Sequence, residues 1–188
     1  MQYTKIEKIA KGWSSFIWLI RDNAGKTLVL KGVREKSNRK NLAEREGKML
    51  TLANSIGIGP KVKEVNFEKN FVVMEYVKGP KLLDFVMGED FDSVSKNEAY
   101  ALLKELVRQC LALDSIGLRH TQLQVGKNIL VTKTRVDYKP TIIDFEKASI
   151  DLVKSGKLKN FGQITSFLFL NPNGAVAKRI REKLNLKL

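Results

Sequence analysis

A lysine stands at position 31 in the middle of TLVLKGV, a run whose leucine and β-branched residues read as a strand. An ammonium set among Leu and Val must either extend its head to water or meet an acid, because an unpaired buried charge is costly. A fold that keeps this lysine inside is therefore obliged to bring a carboxylate to it from elsewhere in the chain. The next segment offers two. Residues 38–55 carry Leu42, Lys48, Met49, Leu50 and Leu52 in a helical pattern with Glu44 and Glu46 among them, and the pattern stops at Gly57-Ile58-Gly59-Pro60. Two positions along a helix point about 200° apart, so only one of the two acids can face Lys31. The alternative is that both are surface acids.

Residues 5–10 and 16–21 alternate as strands, joined by Lys11-Gly12-Trp13-Ser14-Ser15, and Asn23-Ala24-Gly25 is a turn before the lysine strand. A Gly/Ser turn can bring backbone N–H groups against phosphates, but with Gly12 alone in place of a full glycine motif it reads by itself first as a plain hairpin turn. Residues 62–65 and 71–76 read as two further strands, followed by the linker Val77-Lys78-Gly79-Pro80. The clearest helix covers 95–116, with Ser95 and Glu98 spaced as a capping box and Gly117 as its C-terminal glycine. Two more helices are expected in 154–188, parted by Asn171-Pro172-Asn173-Gly174.

Residues 117–149 hold the one histidine, His120, a polar loop between apolar runs, and an Asp-Phe-Glu turn after Thr141-Ile142-Ile143. The order of parts is strand lysine, helix glutamate, linker, long helix, His-x-x-Leu loop, Asn128, and Asp144 after an apolar strand. That order, with the segments GIGPKV, HTQLQVGKN and IIDFEKAS, resembles a protein kinase over approximately residues 5–170. It is similar above all to the small archaeal proteins described as predicted serine/threonine kinases, relatives of RIO-type kinases and of the kinase subunit of the tRNA threonylcarbamoyladenosine complex. The resemblance implies an α+β, two-lobed kinase-like fold. Residues 1–78 would be a small antiparallel-sheet lobe of five strands and one helix, and 79–188 a reduced helical lobe, with 77–80 as hinge, together one domain. It implies Mg-ATP bound between the lobes and transfer or hydrolysis of the γ-phosphate. Lys31 would hold the phosphates, and Glu46, better matched in position than Glu44, would hold Lys31. Asp144 and Asn128 would ligate Mg²⁺ or Mn²⁺. Gly12, Ser14 and Ser15 would cover the phosphates, and Met74, Glu75 and Val77 would receive the adenine.

Several positions depart from the pattern. Gln122 stands where the catalytic aspartate belongs, and an amide is not basic enough to accept a proton from a hydroxyl. Asn128 follows it by six positions instead of five. Glu146 replaces the glycine of the metal-binding turn, either strengthening cation attraction, or acting as a substitute base, or pairing as a surface acid with Lys147 or Lys154. His120 is either a base of near-neutral pKa or, as in kinases, a structural tie to the metal-binding turn.

Composition adds a second line. The net charge is +14, and residues 154–188 carry eight basic residues against the single acid Glu182, which points to RNA, a ribonucleoprotein, an acidic partner or phosphates, with a solvated lysine-rich surface as the alternative. Two classes of function thus stand: an atypical ATP-dependent kinase or ATPase with an unknown phosphate acceptor, or a catalytically weak kinase-fold module that binds nucleotide and RNA. The terminal AKRIREKLNLKL is alternatively an amphipathic helix docked through Ile180, Leu184 and Leu186. A lone Cys110 and a lone His120 argue against zinc and disulfides. With no apolar run near the roughly 20 residues of a membrane span, and no signal-peptide core, a cytoplasmic protein without a membrane partner is expected.

Overall fold

A computed structural model describes residues 3–11, 15–34, 41–151 and 158–187. The chain is mixed α+β and divides into two compact units, Met1–Tyr76 with Asp144–Ala148, and Val77–Ile143 with Ser149–Leu188. No described helix is long and apolar enough to cross a membrane.

The first unit is built on a five-stranded antiparallel sheet. Its strands are β1 (Tyr3–Lys11), β2 (Ser15–Asp22), β3 (Thr27–Val33), β4 (Val62–Asn66) and β5 (Phe71–Glu75), in the order β1-β2-β3-β5-β4. The turn between β2 and β3 is closed by the Asp22 carboxylate, which accepts from the amides of Ala24 and Lys26, while Gly25 supplies a left-handed φ of +79°. Between β3 and β4 lies helix α1 (Leu42–Asn54), so the helix begins at Leu42; residues 38–40 of the expected helix lie outside the described residues. Its buried stripe is Leu42, Ala43, Glu46, Gly47, Leu50 and Ala53. Gly47 is a packing requirement: a Cβ there would come within 2.7 Å of Val65 Cγ1, so only glycine lets α1 lie this close to β4.

In the second unit, helices α2 (Leu82–Met87) and α3 (Asp90–Ser93) were not signalled by periodicity, being too short to display a stripe. Helix α4 (Lys96–Ser115) is the long one, and its capping box forms as spaced: Ser95 Oγ accepts from the Glu98 amide at 3.2 Å while Glu98 Oε2 accepts from the Ser95 amide at 2.9 Å. Short β6 (Leu118–Arg119) follows, then the hairpin of β7 (Ile129–Lys133) and β8 (Tyr138–Ile142). Pro140 sits in β8 with its carbonyl taken by Gln109 Nε2 from α4. The linker runs along β7: Val131 N donates to Pro80 O and Thr132 Oγ1 to Lys78 O, and a Cβ on Gly79 would fall 2.0 Å from Val131 O. Strand β9 (Ser149–Ile150) pairs with β6. Helix α5 (Lys159–Thr165) passes through a π-helical turn over Ser166–Leu170, and α6 (Ala175–Leu184) closes the chain. Ile180 and Leu184 of α6 are buried as expected, but Leu186 is 47% exposed because the helix ends at a left-handed Asn185 before reaching it.

The cations of α6 are largely used internally. Arg179 donates to Gly88 O and pairs with Asp92, Arg181 donates to the carbonyls of Phe169, Asn171 and Pro172, and Lys183 to those of Asp92 and Val94. Lys154 lies outside the described residues.

Candidate functional site: a lysine among three carboxylates

Lys31 is fifth in β3, opposite Ile17 on one side and Val72 on the other, and is 6% exposed. Directly opposed residues share a sheet face, so Lys31 points to the same side as Val72 and Val65, the side on which α1 packs. Glu46 Oε2 meets Lys31 Nζ at 2.7 Å, while Glu44 is exposed. The other oxygen of Glu46 accepts from the Phe145 amide at 3.1 Å. One helical carboxylate thus ties the lysine strand to the Asp144–Ala148 segment.

That segment is sharply bent. Asp144 has φ +65° and ψ +66°, left-handed values that aspartate tolerates better than most residues, and Phe145–Lys147 form a single 3-10 turn. The bend directs Asp144 Oδ1 to 2.6 Å and Glu146 Oε2 to 3.6 Å from Lys31 Nζ. Fully buried Phe145 anchors the turn. Glu146 is only 6% exposed, so it is no surface acid; Asp144 keeps 41% of its side chain accessible. One oxygen from each of Glu46, Asp144 and Glu146 lies within 4.8 Å of the others.

Burial by itself would depress the Lys31 ammonium pKa, but Glu46 and Asp144 outweigh it and hold the group above its ordinary value. Burial raises the Glu46 carboxyl above its ordinary range in spite of Lys31, with Asp144 pushing in the same direction. Lys31 thus stays charged, with one oxygen each of Glu46, Asp144 and Glu146 gathered around it. The all-oxygen donor set of the cluster suits a hard divalent cation.

The remaining expected positions fall elsewhere. Gly12 and Ser14 lie outside the described residues; Ser15 opens β2, buried and paired with Val33. Met74 is buried in β5, and Glu75 donates its amide to Lys61 O while its carboxylate accepts from Lys26 Nζ. Val77 begins the second unit, which also holds His120, Gln122 and Asn128. His120 is fully buried, with Nε2 2.9 Å from Ile143 O; a carbonyl only accepts, so this nitrogen carries the proton. Asn128 Nδ2 donates to Gln122 O, and Asn128 O accepts from Ile143 N, which closes the loop on the strand before Asp144.

A buried node beneath His120 escaped the sequence reading. Asn160 is fully buried: its Oδ1 accepts from the His120 amide, and its Nδ2 donates to Asp114 Oδ1 and Leu118 O. Asp114 also caps α5, accepting from the amides of Asn160 and Phe161. The signal was an acid at the end of an apolar helix face and an asparagine inside LKNFG.

No protein-family model matches the chain. It is similar to the serine/threonine-protein kinase cds1 of Schizosaccharomyces pombe, 34% identical over 85 residues, which is 45% of this chain and 17% of that kinase. It is also 32% identical over 113 residues to the uncharacterized protein MJ1211 of Methanocaldococcus jannaschii, covering 60% of this chain and 84% of that protein. At that identity and coverage, the chain belongs to the same family as MJ1211.

Proposed function

We propose that this chain is an atypical protein-kinase-like phosphotransferase that binds Mg-ATP at the Lys31 cluster and transfers or hydrolyses the γ-phosphate. The observation that carries the reading is the buried Lys31–Glu46 pair joined at one ammonium by Asp144 and Glu146. The partial likeness to a serine/threonine-protein kinase supports it. In this reading the two units are the two lobes of a kinase-like fold.

The division of labour follows from the geometry. Glu46, engaged through both oxygens, positions Lys31 for phosphate oxygens. Accessible Asp144 and neighbouring Glu146 are the donors that would hold Mg²⁺ or Mn²⁺, which would neutralise charge on the phosphates. Met74 and the backbone of 75–77 would take the adenine. Gln122 offers no base, so the nucleophile's proton is lost without that help, at a cost in rate.

Incubation with γ-labelled ATP, Mg²⁺ and a generic protein acceptor tests transfer, with release of labelled phosphate testing hydrolysis. Label transferred or released by the native protein and lost in Asp144→Ala supports the reading. Identical turnover in both proteins removes it.

A further inference from the structure

The sheet face opposite Lys31 has a composition of its own. Along β2, Phe16, Trp18 and Ile20 alternate away from Ile17 and Lys31, and they pair in register with Gly32, Leu30 and Leu28 of β3. Ile20, Leu28 and Val73 form a buried apolar cluster on this face. The only described α-helix of this unit, α1, packs on the other side; here the cluster is roofed by the half-buried side chains of Tyr3, Trp18, Leu30 and Phe71.

One irregularity in β1 then loads the face with cations. In a regular strand Lys5 and Lys8, three apart, would point to opposite sides. The register shift between Lys5 and Glu7 instead sets Lys5 opposite Ile20 and Lys8 opposite Trp18, while Glu7 falls opposite Leu19 on the far side. The ammonium of Lys5 lies 4.8 Å from the Trp18 ring, that of Lys8 is 3.8 Å from Phe16 and 5.9 Å from Trp18, and the Arg34 guanidinium is 5.4 Å from Phe16. The acids of the face are Asp22 opposite Tyr3, Glu75 opposite Leu28 and paired with Lys26, and Glu64 opposite Val73 on the outer strand; none is in register with Phe16. Gly32, between Phe16 and Phe71 in register, leaves the sheet without a side chain between two rings.

We propose that this face is a binding platform for single-stranded RNA, with Phe16 and Trp18 as stacking rings and Lys5 and Lys8 neutralising phosphates. Partly exposed aromatics flanked by flexible cations on an antiparallel sheet meet both needs of an unpaired strand, a π-surface for bases and positive charge for the backbone. Lysines resting over rings occupy the places that bases would take, and their stems are long enough to turn outward to phosphates. Unpaired bases are the normal state of RNA loops and ends and the exception in DNA, which selects RNA as the occupant. The platform is independent of nucleotide binding, because Lys31 and its acids project from the other side of the sheet.

The test is fluorescence anisotropy of a labelled oligouridylate with the full chain, titrated from about 50 mM salt upward, where phosphate contacts are strong. Lys5→Gln/Lys8→Gln should bind about tenfold more weakly and lower the log–log salt slope by about 1.4, roughly 0.7 per cation lost. Phe16→Leu should weaken binding about tenfold with the slope unchanged, as loss of stacking predicts. In a Trp13→Phe background, the RNA should quench Trp18 emission. Lys178→Gln/Lys187→Gln should bind like the native chain. Thermal melts establish that each variant is folded; were Phe16→Leu unfolded, the lysine pair decides. Absence of binding at low salt, duplex RNA or single-stranded DNA bound as tightly, unchanged Trp18 emission, or equal losses in the two lysine pairs would each overturn the proposal.

Discussion

At residue scale the controlling fact is that Lys31 pairs with all three acids of its cluster. Removing it takes the ammonium from buried Glu46. Lys31→Met should destabilise the protein by about 3–5 kcal/mol at pH 7, most of it from Glu46, since Asp144 can reach water. The pH dependence has a definite sign. A carboxyl whose folded pKa is raised, as for Glu46, contributes stability below its unfolded value near 4.5 that is lost as pH rises through the folded value. Without Lys31 that rise is larger, so the deficit of Lys31→Met should narrow between pH 7 and 5 in urea melts. The native Lys31, raised by its partners, contributes fully below its ordinary value of 10.5, and that contribution falls at more alkaline pH.

At the scale of elements, Gly47 and Asn160 each govern how one element meets another. A methyl at position 47 would strike Val65, so Gly47→Ala must lift α1 and with it Glu46. We expect a loss of about 1–3 kcal/mol together with a weakened response to Mg-ATP, both largely restored by Val65→Ala, as read by thermal melts of single and double variants. Asn160→Asp keeps the shape of the node but replaces two donated hydrogen bonds by a carboxylate facing Asp114. It should cost roughly 2–4 kcal/mol at pH 7 in thermal melts. A purely steric role for Asn160 would leave the melting temperature unchanged.

On the scale of the whole molecule, a ligand that binds only the folded chain raises its stability by mass action. Mg-ATP at about a hundred times its Kd should add about 2.7 kcal/mol, which for a chain of this length is a Tm rise of roughly 5–10 °C. Asp144→Asn should abolish most of the rise, and ATP without a divalent cation should produce little of it. Much of this architecture was legible beforehand. The five strands, the long capped helix, and the need of Lys31 for an acid are properties of spacing and residue type, readable within a dozen neighbours. What local pattern could not decide was which groups meet across long separations. Glu146 is adjacent to two plausible surface partners in the chain, Lys147 and Lys154, yet folds inward beside a lysine more than a hundred positions away. Asn160 likewise looks like an ordinary polar residue until the fold sets it under His120. The register shift in β1 is the plainest instance: strict alternation predicts Lys5 and Lys8 on opposite sides, and only the pairing with β2 reverses it. Periodicity determines which residues lie on one face of a segment because it is set by backbone geometry alone. The choice of Glu46 over Glu44, the burial of Glu146 and the cationic aromatic face depend on contacts between segments, and those exist only once the chain has closed on itself.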